Sequence, residues 1–323
     1  MVVHGSKIWP AEEWEYGTPS SAGIDPELLW NASKHLQRDF PHVYSFLVVQ
    51  HGRIAFEQYY RGTRETDKRD ILSVNKSILS ALAGIALAKG YLSNTDQQII
   101  ELFPEFLSKD CDPRILCLNI KHLLTMTSGF YYPRLAADSQ PMVDRMRRSD
   151  NWLRYILELP VKNRAMNRFQ YNNFDAWLLS AVLQRVSQMS IYELANKWLF
   201  GPIGIHADAW ECEDPQQHLA GSLHLTAKDM ARFGYLYLNE GDWNGVQVIP
   251  STWVTESTAG SGPYSYLWWL HPHGYYASGA GGTSIIILPQ ADMVIVFQAK
   301  HLKRFRHPME AMHTHLFPYI GLS

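Results

Sequence analysis

The twenty residues Ile71–Gly90, ILSVNKSILSALAGIALAKG, constrain this chain more than any other stretch. They predict a buried helix with a polar knot at its start. Ser73 and Lys76 stand three apart and share a face one turn long. Behind them Ile78, Leu79, Leu82, Ile85 and Leu87 give a broad apolar surface, and Gly90 is placed to end the helix. A serine hydroxyl is a weak nucleophile and needs a base within hydrogen-bond reach. An amine at i+3 can serve if burial disfavours its ammonium form. Free N–H groups at a helix start also stabilise negative charge on oxygen. The pattern equally describes a capping serine and a surface lysine, and composition alone predicts roughly one such pair in a chain this long. Context favours the catalytic reading: this is the one Ser-x-x-Lys in the sequence, and it opens the most apolar helix.

Composition narrows the alternatives. With 323 residues the chain can bury a large core, as one domain or two intimately packed lobes. The formal net charge is −2, and no Lys/Arg run is interleaved with aromatics, so nucleic acid and anionic membrane are not expected partners. Cys111, Cys117 and Cys212 lack Cys-x-x-Cys spacing and are odd in number, which predicts reduced thiols rather than a disulfide framework or a metal site. No His-Glu-x-x-His or other ligand cluster appears, so neither metal nor cofactor is expected. The start, MVVHGSKIWPAEEW, has no basic head and apolar stretch of a secretory signal, and no apolar run could span a bilayer; a cytoplasmic protein is the expectation. Eleven tryptophans suit a hydrophobic small-molecule pocket without proving one.

In order, Asp25-Pro26 predicts a capped helix to about Arg38. Strands at Tyr44–Gln50 and Ile54–Tyr60 should form a hairpin through His51-Gly52-Arg53. From about 95 to 230 the pattern is mostly helical: Ile120–Thr127, Asp150–Leu159, Phe174–Gln188, Ile191–Phe200, and a helix from the Thr226-Ala-Lys-Asp229 cap to Leu238. Extended segments return at Tyr264–Leu270 and Gly274–Ser278. A hairpin of Ser284–Leu288 and Met293–Gln298 follows, then a last helix over roughly 302–317. Strands at both ends with helices between predict an α+β chain. Its two ends close one antiparallel sheet flanked by helices, and the middle forms an inserted all-helical lobe. The expected division is an α/β lobe of about 1–72 and 240–323 and a helical lobe of about 73–239, together one catalytic unit of 1–323 with its site where they meet.

A serine–lysine pair needs a proton route to the leaving group, and a tyrosine beside the lysine can supply it. Tyr171-Asn172-Asn173 sits on a loop just before a helix, where Tyr171 can enter a cleft and Asn173 can bond Lys76 or a substrate carbonyl. Read alone, the same residues fit a core tyrosine followed by an asparagine cap. Tyr237-Leu-Asn239 lies in an amphipathic helix and reads as structural. The run Ala277-Ser-Gly-Ala-Gly-Gly282 lets a carbonyl oxygen approach the backbone closely, so an N–H there could join that of Ser73 in an oxyanion hole. It could also be a glycine-rich hairpin without a role.

The three pieces, in this order, resemble the serine beta-lactamase and penicillin-binding-protein superfamily, which carries Ser-x-x-Lys, Tyr-x-Asn and a Lys-Thr-Gly-type triplet. The sequence looks most like the class C branch, with its esterases and 6-aminohexanoate-dimer hydrolases. The segments HLLTMTSG (122–129), LTAKDMARFGYLYLNEGDWNG (225–245) and YLWWL (266–270) extend the resemblance over nearly the whole chain. The resemblance implies that Ser73 is acylated, Lys76 is its base partner, Tyr171 relays the proton and Asn173 positions. Ala277-Ser278-Gly279 would stand at the third motif, within one residue, with the Ala280 N–H as second oxyanion donor. Tyr131 would be a pocket wall or leaving-group donor, unless it is plain loop packing.

The third motif departs from the family, because the strand offers Ala and Ser where a cation helps hold a substrate carboxylate. Losing one charge-assisted bond, about 1.5–3 kcal/mol, costs roughly ten- to a hundred-fold in affinity. The expectation is a hydrolase of small carboxylic esters or non-peptide amides with weak or no beta-lactamase activity. His271, His273 or Arg304 could replace the charge but read as surface residues. The alternatives are a beta-lactamase or D-alanyl-D-alanine peptidase with the same machinery, and a non-catalytic ligand-binding relative. There is no Gly-x-Ser-x-Gly elbow. Oligomeric state is not legible.

Overall fold

The computed structural model describes residues 7–106, 112–130, 136–161, 166–302 and 304–321, with the side chains of 136–140 left aside. Helix α1 (Pro26–Asp39) starts where Asp25 accepts the Glu27 N–H, with proline in the first turn. Strands β1 (Val43–Gln50) and β2 (Arg53–Tyr59) pair through His51-Gly52, both left-handed. Two residues, Arg69–Asp70, form β3 ahead of α2 (Asn75–Ala88). Next come α3 (Ile120–Thr125) and α4 (Asn173–Ser187), each capped by the asparagine before it. Strands β4 (Trp210–Cys212) and β5 (Ala220–Leu225) precede α5 (Ala227–Leu238), which begins with the Thr226–Asp229 capping box read from sequence. After α6 (Ser251–Ser257) the chain lays down β6 (Tyr264–Ser265), β7 (Trp268–His271), β8 (Gly274–Ser278), β9 (Ser284–Leu288) and β10 (Met293–Ala299), then α7 (Met309–His315).

The two chain ends do close one sheet. Its order is β2-β1-β10-β9-β8-β7-β6, and each of its neighbours pairs antiparallel. Both faces are covered, which explains the near-continuous apolar strands: alternate residues serve different cores. Phe46, Val48, Ile286, Ile295 and Phe297 face α1 and α7. Leu47, Val49, Ile285, Ile287, Val294 and Val296 join a larger cluster that runs through α2, α4 and α5. Helix α5 lies directly on the sheet, so close that a Cβ on Gly234 would come within 2.6 Å of Val294 and 2.7 Å of Ile285. Between the chain ends the described residues are mostly helical, but the lobe expected to be all-helical also carries strands β4 and β5, which form a small sheet β3-β5-β4, and a two-stranded hairpin pairs Asp242–Trp243 with Val246–Gln247.

Three elements differ from their sequence reading. Tyr264–Leu270 is not one extended strand but a hairpin, β6 paired to β7, turning through Tyr266 and Leu267 at φ of 35° and 68°. Bulky residues rarely adopt that conformation. The turn is held from outside: the Leu267 N–H donates to the Leu124 carbonyl, Ser77 donates to the Leu267 carbonyl, and Tyr266 donates to Glu256. The last helix is shorter than 302–317, beginning at Met309, because Pro308 disfavours helical backbone at the residue before it. The helix starting at Ile191 does not stop at Gly201-Pro202. It widens into a π turn over Asn196–Phe200 and ends at Ile203.

Cys117 and Cys212 carry free thiols. Among the described residues no helix is long and apolar enough to cross a membrane, and no group of His, Cys, Asp and Glu could hold a metal ion.

Candidate active site

Ser73 stands in a single 3-10 turn, Leu72–Val74, immediately before α2, rather than within the helix itself. That turn is constrained on every side. Leu72 is left-handed at φ 55°, a conformation that persists in a leucine only under outside restraint. The restraint comes from Asp70, whose carboxylate accepts the Leu72 N–H at 2.9 Å, and from β5: Ile71 N–H donates to the Leu223 carbonyl, and the Asn75 side chain donates to that of Gly221. Lys76, one turn on, is 6% exposed, and its Nζ donates to Ser73 Oγ at 2.9 Å. The lysine is thus buried with its amine on the serine.

A cavity of about 320 Å³ opens over this pair. Asn173, Ala176 and Trp177 of α4 line one side, and Ala220, Gly221 and Ser222 of β5 another; Ala280 and His301 close the end of the large sheet. Asp70 and Glu213 bring two carboxylates into the lining, and neither has an ion-pair partner among the described residues.

Tyr171 approaches Lys76 from beside the cavity, its ring centre 5.3 Å from Nζ. Its loop is pinned to α3: the Gln170 N–H donates to the Met126 carbonyl and the Asn172 N–H reaches the Met126 sulfur. The ring stacks on Trp269 at 5.7 Å and meets Tyr264 edge-on at 6.0 Å. Its hydroxyl bonds neither Ser73 nor Lys76, and no hydrogen bond joins Asn173 to Lys76. Asn172 is the helix cap, accepting the Asp175 N–H. Asp175, one turn along, is fully buried. Burial pushes its carboxyl up to about 7, with Ser128 and Asn172 opposing the shift.

The end of β8 passes against the Ser73 turn. A Cβ on Gly279 would stand 2.8 Å from Leu72 Cβ, 2.9 Å from the Ile71 carbonyl and 3.2 Å from the Ser73 nitrogen, so glycine is required there. The next two glycines serve the protein's own backbone: left-handed Gly281 and Gly282 crowd the Lys300 carbonyl and Pro308. The Gly279 N–H is engaged with the Thr283 carbonyl at 2.7 Å. Ala277 is fully buried, without charge, at the position where the resemblance placed a cation.

Of the residues singled out from sequence, Ser73, Lys76, Asn173 and Ala280 share one cavity, Tyr171 flanks it, and Gly279 packs on the Ser73 turn. Ser278, two residues before Ala280, is outside the lining and bonds His307. Tyr131 lies outside the described residues. His271, His273 and Arg304 do not line the cavity; His271 instead packs on His273, His313 and Phe317. Sequence reasoning missed Trp269, Asp175, His301 and His307. The tandem tryptophan of YLWWL was visible, but nothing local marked which of the pair would meet Tyr171.

The family model described as Beta-lactamase matches residues 35–316. The 6-aminohexanoate-dimer hydrolase of Paenarthrobacter ureafaciens is 24% identical over 284 residues, covering 78% of this chain and 71% of that protein. Among solved structures, a Bacillus anthracis protein provisionally named a 6-aminohexanoate-dimer hydrolase aligns with a TM-score of 0.72 at 22% identity, over 89% of this chain and 80% of that one. EstCE1, a hydrolase with promiscuous acyltransferase activity, aligns with a TM-score of 0.70 at 14% identity, over 94% and 99%.

Proposed function

The chain belongs to the Beta-lactamase family and is a serine hydrolase, and we propose that it cleaves small carboxylic esters or non-peptide amides through an acyl-enzyme on Ser73. The observation that carries this reading is the 2.9 Å contact between Lys76 Nζ and Ser73 Oγ inside a cavity of substrate size. For attack the serine O–H turns to donate to the Lys76 nitrogen. As Oγ attacks the substrate carbonyl carbon, that proton passes to Lys76. The carbonyl oxygen takes the negative charge between the N–H groups of Ser73 and Ala280, since the Gly279 N–H is already spent. Tyr171, beside Lys76, hands a proton to the departing alcohol or amine. Water then attacks the acyl carbon by the reverse proton route, releasing the acid and restoring Ser73. Asn173 orients the acyl group from the α4 side. The relative named 6-aminohexanoate-dimer hydrolase supports an amide as substrate, and the fold is shared with EstCE1, titled a hydrolase with promiscuous acyltransferase activity.

The cavity also argues against a substrate carboxylate at the third motif. Ala277 offers no cation, and Asp70 and Glu213 add negative charge to the lining. Incubation with a fluorophosphonate probe, a p-nitrophenyl ester series and a chromogenic cephalosporin tests the reading. Wild type should be labelled on Ser73 and Ser73→Ala should not, with short-chain esters turned over at least about tenfold faster than the cephalosporin. Cephalosporin turnover as fast as ester turnover would replace this reading by a beta-lactamase. An unlabelled wild type would replace it by a ligand-binding protein.

A further inference from the structure

Ser278 ends β8 one residue before the glycine that touches the nucleophile turn, and its hydroxyl has one hydrogen-bond partner among the described residues, His307 Nε2 at 3.3 Å. The other ring nitrogen of His307 decides what that contact means. Nδ1 accepts the Met309 N–H at 3.2 Å, at the start of α7, and so carries a lone pair. A neutral imidazole has one N–H, which must then be on Nε2. Burial beneath the sheet end, beside His42 and His313, pushes this imidazole down to about 4 and keeps it neutral near pH 7. Tyr276 at 6.4 Å and Phe305 at 6.2 Å hold the ring from two sides. Nε2–H therefore donates to Ser278 Oγ, and the serine's own hydrogen must point elsewhere.

We infer that His307 is a positioning residue of the third motif: by occupying a lone pair of Ser278 Oγ it turns that hydroxyl into a hydrogen-bond donor toward a neutral oxygen of the bound substrate. This rests on the proposed acylation of Ser73. In place of a cation for a carboxylate, the strand presents one oriented O–H for an ester or amide oxygen. His307 supplies no positive charge to the site.

Two substitutions separate the two bonds of the ring. In His307→Asn the amide oxygen can still accept the Met309 N–H while the donor to Ser278 is lost. In His307→Gln the amide N–H falls near Nε2 and the donor is kept. On a p-nitrophenyl ester, His307→Asn should raise KM about two- to tenfold, the worth of one ordinary hydrogen bond, with kcat nearly unchanged. His307→Gln should return KM to within about twofold of wild type. Ser278→Ala should raise KM by the same factor as His307→Asn, and the double variant should match Ser278→Ala alone. Effects of His307→Asn that persist undiminished on the Ser278→Ala background, or an unchanged KM in His307→Asn with wild-type Tm, would overturn the inference. Fluorophosphonate labelling of wild-type Ser73, run alongside, tells that outcome apart from failure of the hydrolase reading itself.

Discussion

At the scale of single residues, the site depends on atoms that are absent as much as on those present. Gly279 clears the Ser73 turn by the width of one methyl group. Gly279→Ala puts Cβ against Leu72, Ile71 and Ser73 at once, with no left-handed strain to confuse the reading. A displacement near 1 Å at a reacting atom costs about 10²-fold. The expected outcome is a loss of that order in kcat/KM with near-native circular dichroism. Asp175 is the opposite case, a carboxyl enclosed beside phenols with its pKa pushed up to about 7. The folded chain then holds a proton that the unfolded chain releases near pH 4. Its stabilising contribution is complete below about pH 4 and is lost as the pH rises through 7. Asp175→Asn should be the more stable protein at pH 8, with Tm exceeding wild type by a margin that shrinks toward pH 4. His307, pushed down to about 4, works the other way but is common to both proteins and cancels in the difference. Ser73 and Lys76 were readable from sequence because their partnership is local, one turn of chain. His307 was not, because its bond to Ser278 joins an expected strand to a segment expected to be helix.

At the scale of elements, local signals did well wherever the chain's own caps and turns decide. Asp25, Thr226 and the His51-Gly52 turn are where the sequence puts them, since each satisfies backbone groups within a few residues. The β6–β7 hairpin escaped for the converse reason: Tyr266 and Leu267 are poor turn residues, and bonds from α2 and α3 impose the turn on them. That hairpin is what stacks Trp269 on Tyr171. Helix α2 is likewise fixed by fit rather than propensity. Gly84 lies in its interior, where alanine would ordinarily gain about 0.5–1 kcal/mol. A Cβ there would meet the Trp253 ring of α6 at 2.3 Å. Gly84→Ala should therefore destabilise, by about 1–3 kcal/mol in a urea melt followed by tryptophan fluorescence; a rise in stability would show that α6 yields freely.

At the scale of the whole molecule, the overall architecture was legible because both chain ends are strand-like and the middle is not, and a sheet must pair its edges somewhere. The site was only half legible, because its walls come from segments that no window of sequence spans. The Ser73 turn is tied to β5 by Asn75 and Gly221, 146 residues apart, and α2 to the β6–β7 turn by Ser77 and Leu267, 190 apart. Leu72 is held left-handed only in part by its neighbour Asp70; the rest of the restraint on its turn comes from distant β5. During synthesis this means that an emerging polypeptide carries its hydroxyl and amine for most of its length with nothing to sharpen them. The stretch around Gly279 that packs on the Ser73 turn is made about two hundred residues after it, so that turn stays without this neighbour until most of the chain exists.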